Sequence, residues 1–350
     1  MRGVGKMIKK ILLGTYTRGE SQGIYQIELD SSQKRLNNLQ LVQEIDNPTY
    51  LSLNQDKTLL FSVVKEGDQG GVASFKKERD GSYQLQDKAL QEGPAPCYLA
   101  YDQDRHLLYS ANYHLGSLQV YRVDPQGHIG LTDSLSHQGS GPHPNQEAPH
   151  AHYFDQSPDG NYLISCDLGT DQVQTYQVNQ EGKISQIACL DLEPGSGPRH
   201  LAFHPDGSRA YLFTELTSQI YLLNYQSDQG SFKILDQVSS LPEDFEGENS
   251  GAAIKLTQDG KYLYASNRGH NSLVAYQVQD NYTLTDPDWT PTYGQTPRDF
   301  TLSLEEDLVL VGHQDQNVLT LFERNPQDGH LSLLEKDVYA PEVVCLKFLN

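Results

Sequence analysis

LLYSANYHLGSLQVY at residues 107–121, YLISCDLGTDQVQTY at 162–176 and YLYASNRGHNSLVAY at 262–276 are copies of one pattern. Tyr, Leu, Val and Ile alternate with polar residues, a Gly, Asn, Asp or Ser cluster interrupts the run midway, and an aromatic closes it. Period-two alternation around a turn cluster reads as a β-hairpin. A shorter strand precedes each hairpin and a fourth follows, as in GSFKILDQVS after Asp228 and GHLSLLEKDV after Asp328. Turn acids at Asp56, Asp104, Asp159, Asp206, Asp259 and Glu305 mark the repeat, with gaps of 48, 55, 47, 53 and 46 residues. Four antiparallel strands at this period are one propeller blade, and the pattern runs seven times from end to end. Residues 1–350 are therefore read as a single all-β domain, a seven-bladed β-propeller. No Pro/Ser-rich linker divides it, and no long 3.6-period apolar stretch predicts a helix.

The two ends of the chain complement each other. ILLGTYT from Ile11 has the pattern of a second strand, whereas VVCLKFLN from Val343 matches an inner strand such as HLAFHP from His200, with no blade after it. The C-terminal strand is expected to complete the N-terminal blade, which closes the ring and removes a free sheet edge. A chain of this size buries roughly three quarters of its unfolded surface.

With 26 Lys and Arg against 46 Asp and Glu, the formal net charge is −20. Nucleic acid and anionic membrane surfaces, which need a positive footprint, are not expected partners. No window reaches the roughly 20 apolar residues of a membrane helix. MRGVGKMIKKILLG has too short an apolar run for a signal peptide, and is read as also holding the first inner-blade residues. Cys97, Cys166, Cys189 and Cys345 show no paired spacing, three fall inside strand patterns, and all four read as buried thiols of a cytoplasmic protein.

Function in such a fold belongs at the channel mouth, where loops entering the inner strands converge. Seven residues before each turn acid stand Thr49, Cys97, His152, Arg199, Ala252 and Arg298, with Glu342 or its neighbour completing the ring. Pro48, Pro96, Pro198, Pro297 and Pro341 precede five of them, each fixing φ at a strand start. A second ring, at the ends of the outward strands, holds Thr17, Lys65, Tyr113, Leu168, Glu215, Arg268 and Gln314. If both rings face one mouth, His152, Arg199, Glu215, Arg268 and Arg298 converge, although charges at strand ends are also ordinary surface residues.

These residues also carry a resemblance. QEAPHAH from Gln146, GPRHLAFHPDG from Gly197, TELTSQI from Thr214, SNRGHNSL from Ser266 and GQTPRDF from Gly294 resemble, in order, the seven-bladed propeller lactonases that include bacterial 6-phosphogluconolactonase and fungal carboxymuconate cyclase. The resemblance implies catalytic roles for His152, Arg199, Glu215 and Arg268, and matches Arg298 to an arginine of the phosphogluconolactonase branch. The long loop from His137 looks like the Gram-positive branch and brings His143, Glu147 and His150 near the site. Tyr113 and His270, at or beside the second ring, join them as candidate substrate contacts.

Those residue types suit lactone opening, which needs a base, donors for an oxyanion and charge to hold an anionic substrate. His152 or Glu215 is the base, Arg199 and Arg268 are bidentate donors, and Arg298 holds a phosphate. The implied reaction is hydrolysis of 6-phospho-D-glucono-1,5-lactone in the pentose phosphate pathway, its partner a small anionic lactone. A muconate-type cycloisomerase would use the same residue types, and a non-catalytic propeller scaffold is the reading from another class. His143, Glu147, His150 and His152 are possible zinc ligands, but no HExxH or paired cysteine accompanies them, so neither metal nor other cofactor is expected. Oligomeric state is left open, a monomer included. Trp289, in the stretch DPDWTPTYG, reads as a structural loop residue.

Overall fold

A computed structural model describes residues 8–349, and the reading of residues 1–7 falls outside them. Among the described residues twenty-eight strands, β1–β28 in chain order, form seven four-stranded antiparallel sheets. Six sheets take four consecutive strands each. The first is ordered β28-β1-β2-β3, with β28 (Val343–Phe348) beside β1 (Ile8–Thr15), followed by β2 (Gly23–Asp30) and β3 (Arg35–Glu44). Ile11 pairs with Phe348 and Gly14 with Cys345, so the C-terminal strand takes the inner place in the first blade. Ile8–Thr15 is accordingly a second strand, which corrects the reading of the N-terminal stretch as inner-blade sequence.

The core lies between neighbouring sheets. One apolar cluster joins Leu308, Leu310, Leu319 and Leu321 of the last blade to Ile11, Leu13, Val343 and Leu346 of the first, all almost fully buried. Others join the remaining neighbours in turn. Burying one such aliphatic side chain contributes about 1.5–3 kcal/mol, and the ring spreads that gain over every blade junction.

The outermost strands carry mostly exposed and partly buried residues. Cys189 lies on such a strand, β15 (Ile184–Asp191), and is exposed, which corrects its reading as a buried thiol. Cys97 is half-buried, while Cys166 and Cys345 are buried. Trp289 is also on an outer strand, β23 (Leu284–Pro291), rather than in a loop, and its indole N–H donates to the Ser240 carbonyl at 2.8 Å.

The innermost strands carry the feature that builds the site. In β12 (Ala151–Gln156), Ala151 pairs with Asp167 and Tyr153 with Cys166, leaving His152 in a bulge between them. In β16 (Pro198–Phe203), Pro198 pairs with Thr214 and His200 with Phe213, leaving Arg199. In β24 (Pro297–Leu302) the extra residue is Arg298, and in β28 it is Val344. A bulge bends the strand and re-aims its side chain. Val344, not Glu342, thus completes the first ring. Glu342, at positive φ, instead accepts the Arg18, Gly19 and Ser21 backbone N–H groups at 3.0, 3.0 and 3.2 Å.

Candidate active site

At one mouth of the channel a cavity of about 490 Å³ is lined by residues from both rings, among them Thr49, Lys65, Cys97, Tyr113, His152, Arg199, Glu215 and Arg298. Regular strands turn successive side chains to opposite faces. Because Arg199 and Arg298 occupy bulges, their successors His200 and Asp299 line the same cavity, as Tyr50 does after Thr49. Period-two reading places these successors away from the site and so misses them. Tyr16, Arg18, Asn47 and His114, from loops of the first three blades, were also missed, since no strand periodicity reaches them.

Glu215 is the electrostatic centre. Its Oε2 accepts from Arg199 Nε at 2.9 Å and from Arg268 Nη2 at 2.8 Å, and the carboxylate side chain is 17% exposed. Burial works to raise the Glu215 pKa, but Arg268, Arg199 and Arg298 together hold it below the ordinary carboxylate value. Arg199 also donates to the Ala252 carbonyl at 2.5 Å, and burial, then Arg298 and Arg268, bring its pKa down to about 9. It remains a cation at neutral pH. Arg268 donates to the Gly251 carbonyl at 2.9 Å, and burial lowers its pKa. Arg298 donates to Gln314 Oε1 at 2.9 Å. Burial opposes its charge, but Tyr16 and Glu215 outweigh that and its pKa stands above the ordinary value.

His152 is 3% exposed, and burial, followed by Arg199, His200 and Arg298, holds its pKa well below the usual imidazole value. The neutral ring is therefore the form present near pH 7. Its Nδ1 is buried without a hydrogen-bond partner, which leaves Nε2 as the nitrogen able to meet a bound molecule. The Tyr113 ring meets His152 edge-on at 6.0 Å and stacks on His150 at 4.2 Å. Burial pushes the Tyr113 phenol up to about 12 and the Cys97 thiol up to about 11. Both stay protonated at neutral pH, so Cys97 is no thiolate nucleophile.

The loop from His137 to His150 is held from beneath. His137 Nδ1 lies 2.6 Å from Asp167 Oδ2, its Nε2 lies 2.8 Å from the Tyr176 hydroxyl, and Asp167 Oδ1 accepts the His150 backbone N–H at 2.8 Å. Fully buried Gln146 donates to the Leu168 carbonyl at 2.8 Å and to Asp171 Oδ1 at 2.7 Å. Asp171 also accepts the backbone N–H of Gly197, two residues before Arg199, at 2.8 Å. These supports were not legible as site residues, because an Asp or Gln near a turn reads as turn chemistry.

The remaining candidates spread outward. His150 is buried behind Tyr113, its Nδ1 2.8 Å from the Tyr113 carbonyl, and exposed Glu147 approaches its Nε2 at 3.6 Å. His143 is exposed on a neighbouring cavity that it shares with Arg268 and Thr296. His270 lines neither cavity. Its Nδ1 pairs with the Ser272 hydroxyl at 2.7 Å and its ring meets Phe245 edge-on at 4.8 Å. Leu168 is fully buried. Among the described residues no three His, Cys, Asp or Glu side chains are grouped so as to hold a metal ion.

The chain matches the family described as "Lactonase, 7-bladed beta-propeller" over residues 10–348. A Bacillus subtilis protein named 6-phosphogluconolactonase is 38% identical over 341 residues, covering 97% of each chain. A crystal structure of a Lactobacillus plantarum protein is 43% identical, with a TM-score of 0.96 over 98% of this chain and 100% of that one. The structure of a periplasmic gluconolactonase from Pseudomonas aeruginosa is 31% identical, with a TM-score of 0.93 over 98% of this chain and 99% of that one.

Proposed function

Because this chain belongs to the seven-bladed β-propeller lactonase family, we propose that it hydrolyses a sugar lactone that carries a negative charge, 6-phospho-D-glucono-1,5-lactone above others. The observation that carries this reading is the charge of the cavity. Arg18, Lys65, Arg199 and Arg298 line it, Arg268 adjoins it, and Glu215 offsets one of these cations. Asp299 is engaged elsewhere, 3.2 Å from Lys255 Nζ. In a protein of formal charge −20 such a concentration selects an anion. Surface carboxylates beyond roughly 8 Å are screened, whereas a charge at about 4 Å in protein surroundings interacts by roughly 4 kcal/mol.

The chemistry follows from the same groups. Water adds to the lactone carbonyl carbon while His152 Nε2 takes its proton, and the carbonyl oxygen becomes an oxyanion facing the guanidinium groups. As the ring C–O bond breaks, the imidazolium returns the proton to the departing ring oxygen, giving the acid and a hydroxyl. Glu215 is the weaker candidate for base, because one oxygen is shared by two guanidinium groups and its basicity is depressed. Its part is to fix Arg199 and Arg268 in place. The reading carries with it a place in the pentose phosphate pathway and a cytoplasmic setting.

The test is hydrolysis of 6-phosphogluconolactone by wild type and His152→Ala with EDTA present. Loss of a positioned base is expected to lower kcat by about 10²–10⁴-fold, with wild type indifferent to chelator. Unchanged kcat in the variant would remove His152 from the reaction.

A further inference from the structure

We propose that the substrate's phosphate is held at the rim over the first two blades, by Arg18 and Lys65 acting with Arg298 around Tyr16. This rests on the lactonase reading and assigns the two ends of the substrate within it. The cavity's cations fall into two groups. Arg199 and Arg268 share Glu215, which offsets one of their two charges, forming a partly compensated pole beside His152. Arg18, Lys65 and Arg298 line the same cavity, and among the described residues none has a carboxylate within ion-pair distance. Tyr16 ties two of them together. The Arg18 guanidinium carbon lies 3.8 Å from the centre of its ring, and that of Arg298 lies 5.9 Å from the same centre.

The loop that carries Arg18 is fixed in advance. Glu342 gathers the Arg18, Gly19 and Ser21 N–H groups, and its own carbonyl accepts the Tyr16 N–H at 3.1 Å. Lys65 is set by its backbone N–H on the Asp46 carbonyl at 3.0 Å. A phosphate monoester carries a charge of about −1.5 to −2 at neutral pH and presents three acceptor oxygens. Arg18 on its fixed loop, Lys65 on a strand and Arg298 in its bulge, none in a direct ion pair among the described residues, match that charge, and the planar guanidinium forks supply paired donors for the oxygens. The uncharged sugar end then falls toward the partly compensated pole, next to His152.

The measurement is kcat/KM for 6-phosphogluconolactone and for gluconolactone, with wild type, Arg18→Ala, Lys65→Ala, the double variant and the charge-keeping Arg18→Lys. Arg18 and Lys65 are exposed, so folding is not at stake. The preference for the phosphorylated lactone is expected to fall at least about tenfold in the double variant, with partial recovery in Arg18→Lys. An unchanged preference, whether both substrates are untouched or both fall together, would overturn the assignment. Should wild type turn over neither lactone, calorimetry with inorganic phosphate separates the two ideas. Binding that weakens at least about tenfold in the double variant upholds the subsite while the lactonase reading fails. No binding, or binding equal in both, overturns the subsite as well.

Discussion

His152 carries the chemistry in this account, and its surroundings fix how the reaction responds to pH. A base must be neutral to accept a proton, so the rate falls as pH drops through the His152 pKa. Burial, Arg199, His200 and Arg298 hold that pKa well below 6.5, so the plateau extends down through pH 6.5. Arg298→Ala removes one depressing charge. The acid limb of kcat against pH is then expected to move to higher pH, toward the value of an ordinary imidazole. A limb that stays in place, or moves lower, would show that another group titrates.

At the scale of elements, the inner-strand bulges set a generic blade apart at the cavity. Each offers one extra residue at the mouth; the chain fills four of these places with His152, Arg199, Arg298 and Val344, while a fifth bulge, between Gly251 and Ile254, holds only alanines. The loop from His137 to His150 is the other specialised element, and Gln146 is its internal strut. Gln146→Ala leaves the Leu168 carbonyl and Asp171 Oδ1 each short of a donor, at a cost of about 1–3 kcal/mol. Limited proteolysis is expected to find new cleavage within residues 137–150, beside a lower urea midpoint. Protection equal to wild type would mean that the loop is held by other contacts. The blade order and the ring residues were legible because a repeat aligns equivalent positions whatever their side chains. The bulges were not, since a one-residue offset leaves no mark in alternating hydrophobicity. His200 and Asp299 were therefore missed, as was Tyr50, which stands just ahead of a strand without a bulge, while Leu168, which obeys the repeat, sits fully buried.

The whole molecule depends on closure. β28 contributes Val343, Cys345 and Leu346, all at most 1% exposed, to junctions on both sides of the first blade. Removing residues 343–350 deletes several side chains worth about 1.5–3 kcal/mol each from a fold whose net stability is about 5–15 kcal/mol, and opens a sheet edge at the channel. The truncated chain is expected to lose its cooperative thermal transition by circular dichroism, and a transition like that of the full chain would refute closure as the stabilising device. The same ring brings residues nearly the whole chain apart, from Tyr16 to Val344, around one arginine-lined cavity. The most direct test of that cavity's purpose is the steady-state rate of 6-phosphogluconolactone hydrolysis by the wild-type protein, measured against the spontaneous rate. Saturable turnover far above the spontaneous rate, competitively inhibited by 6-phosphogluconate, is the expected result. A rate equal to the spontaneous one at every enzyme concentration would contradict the account.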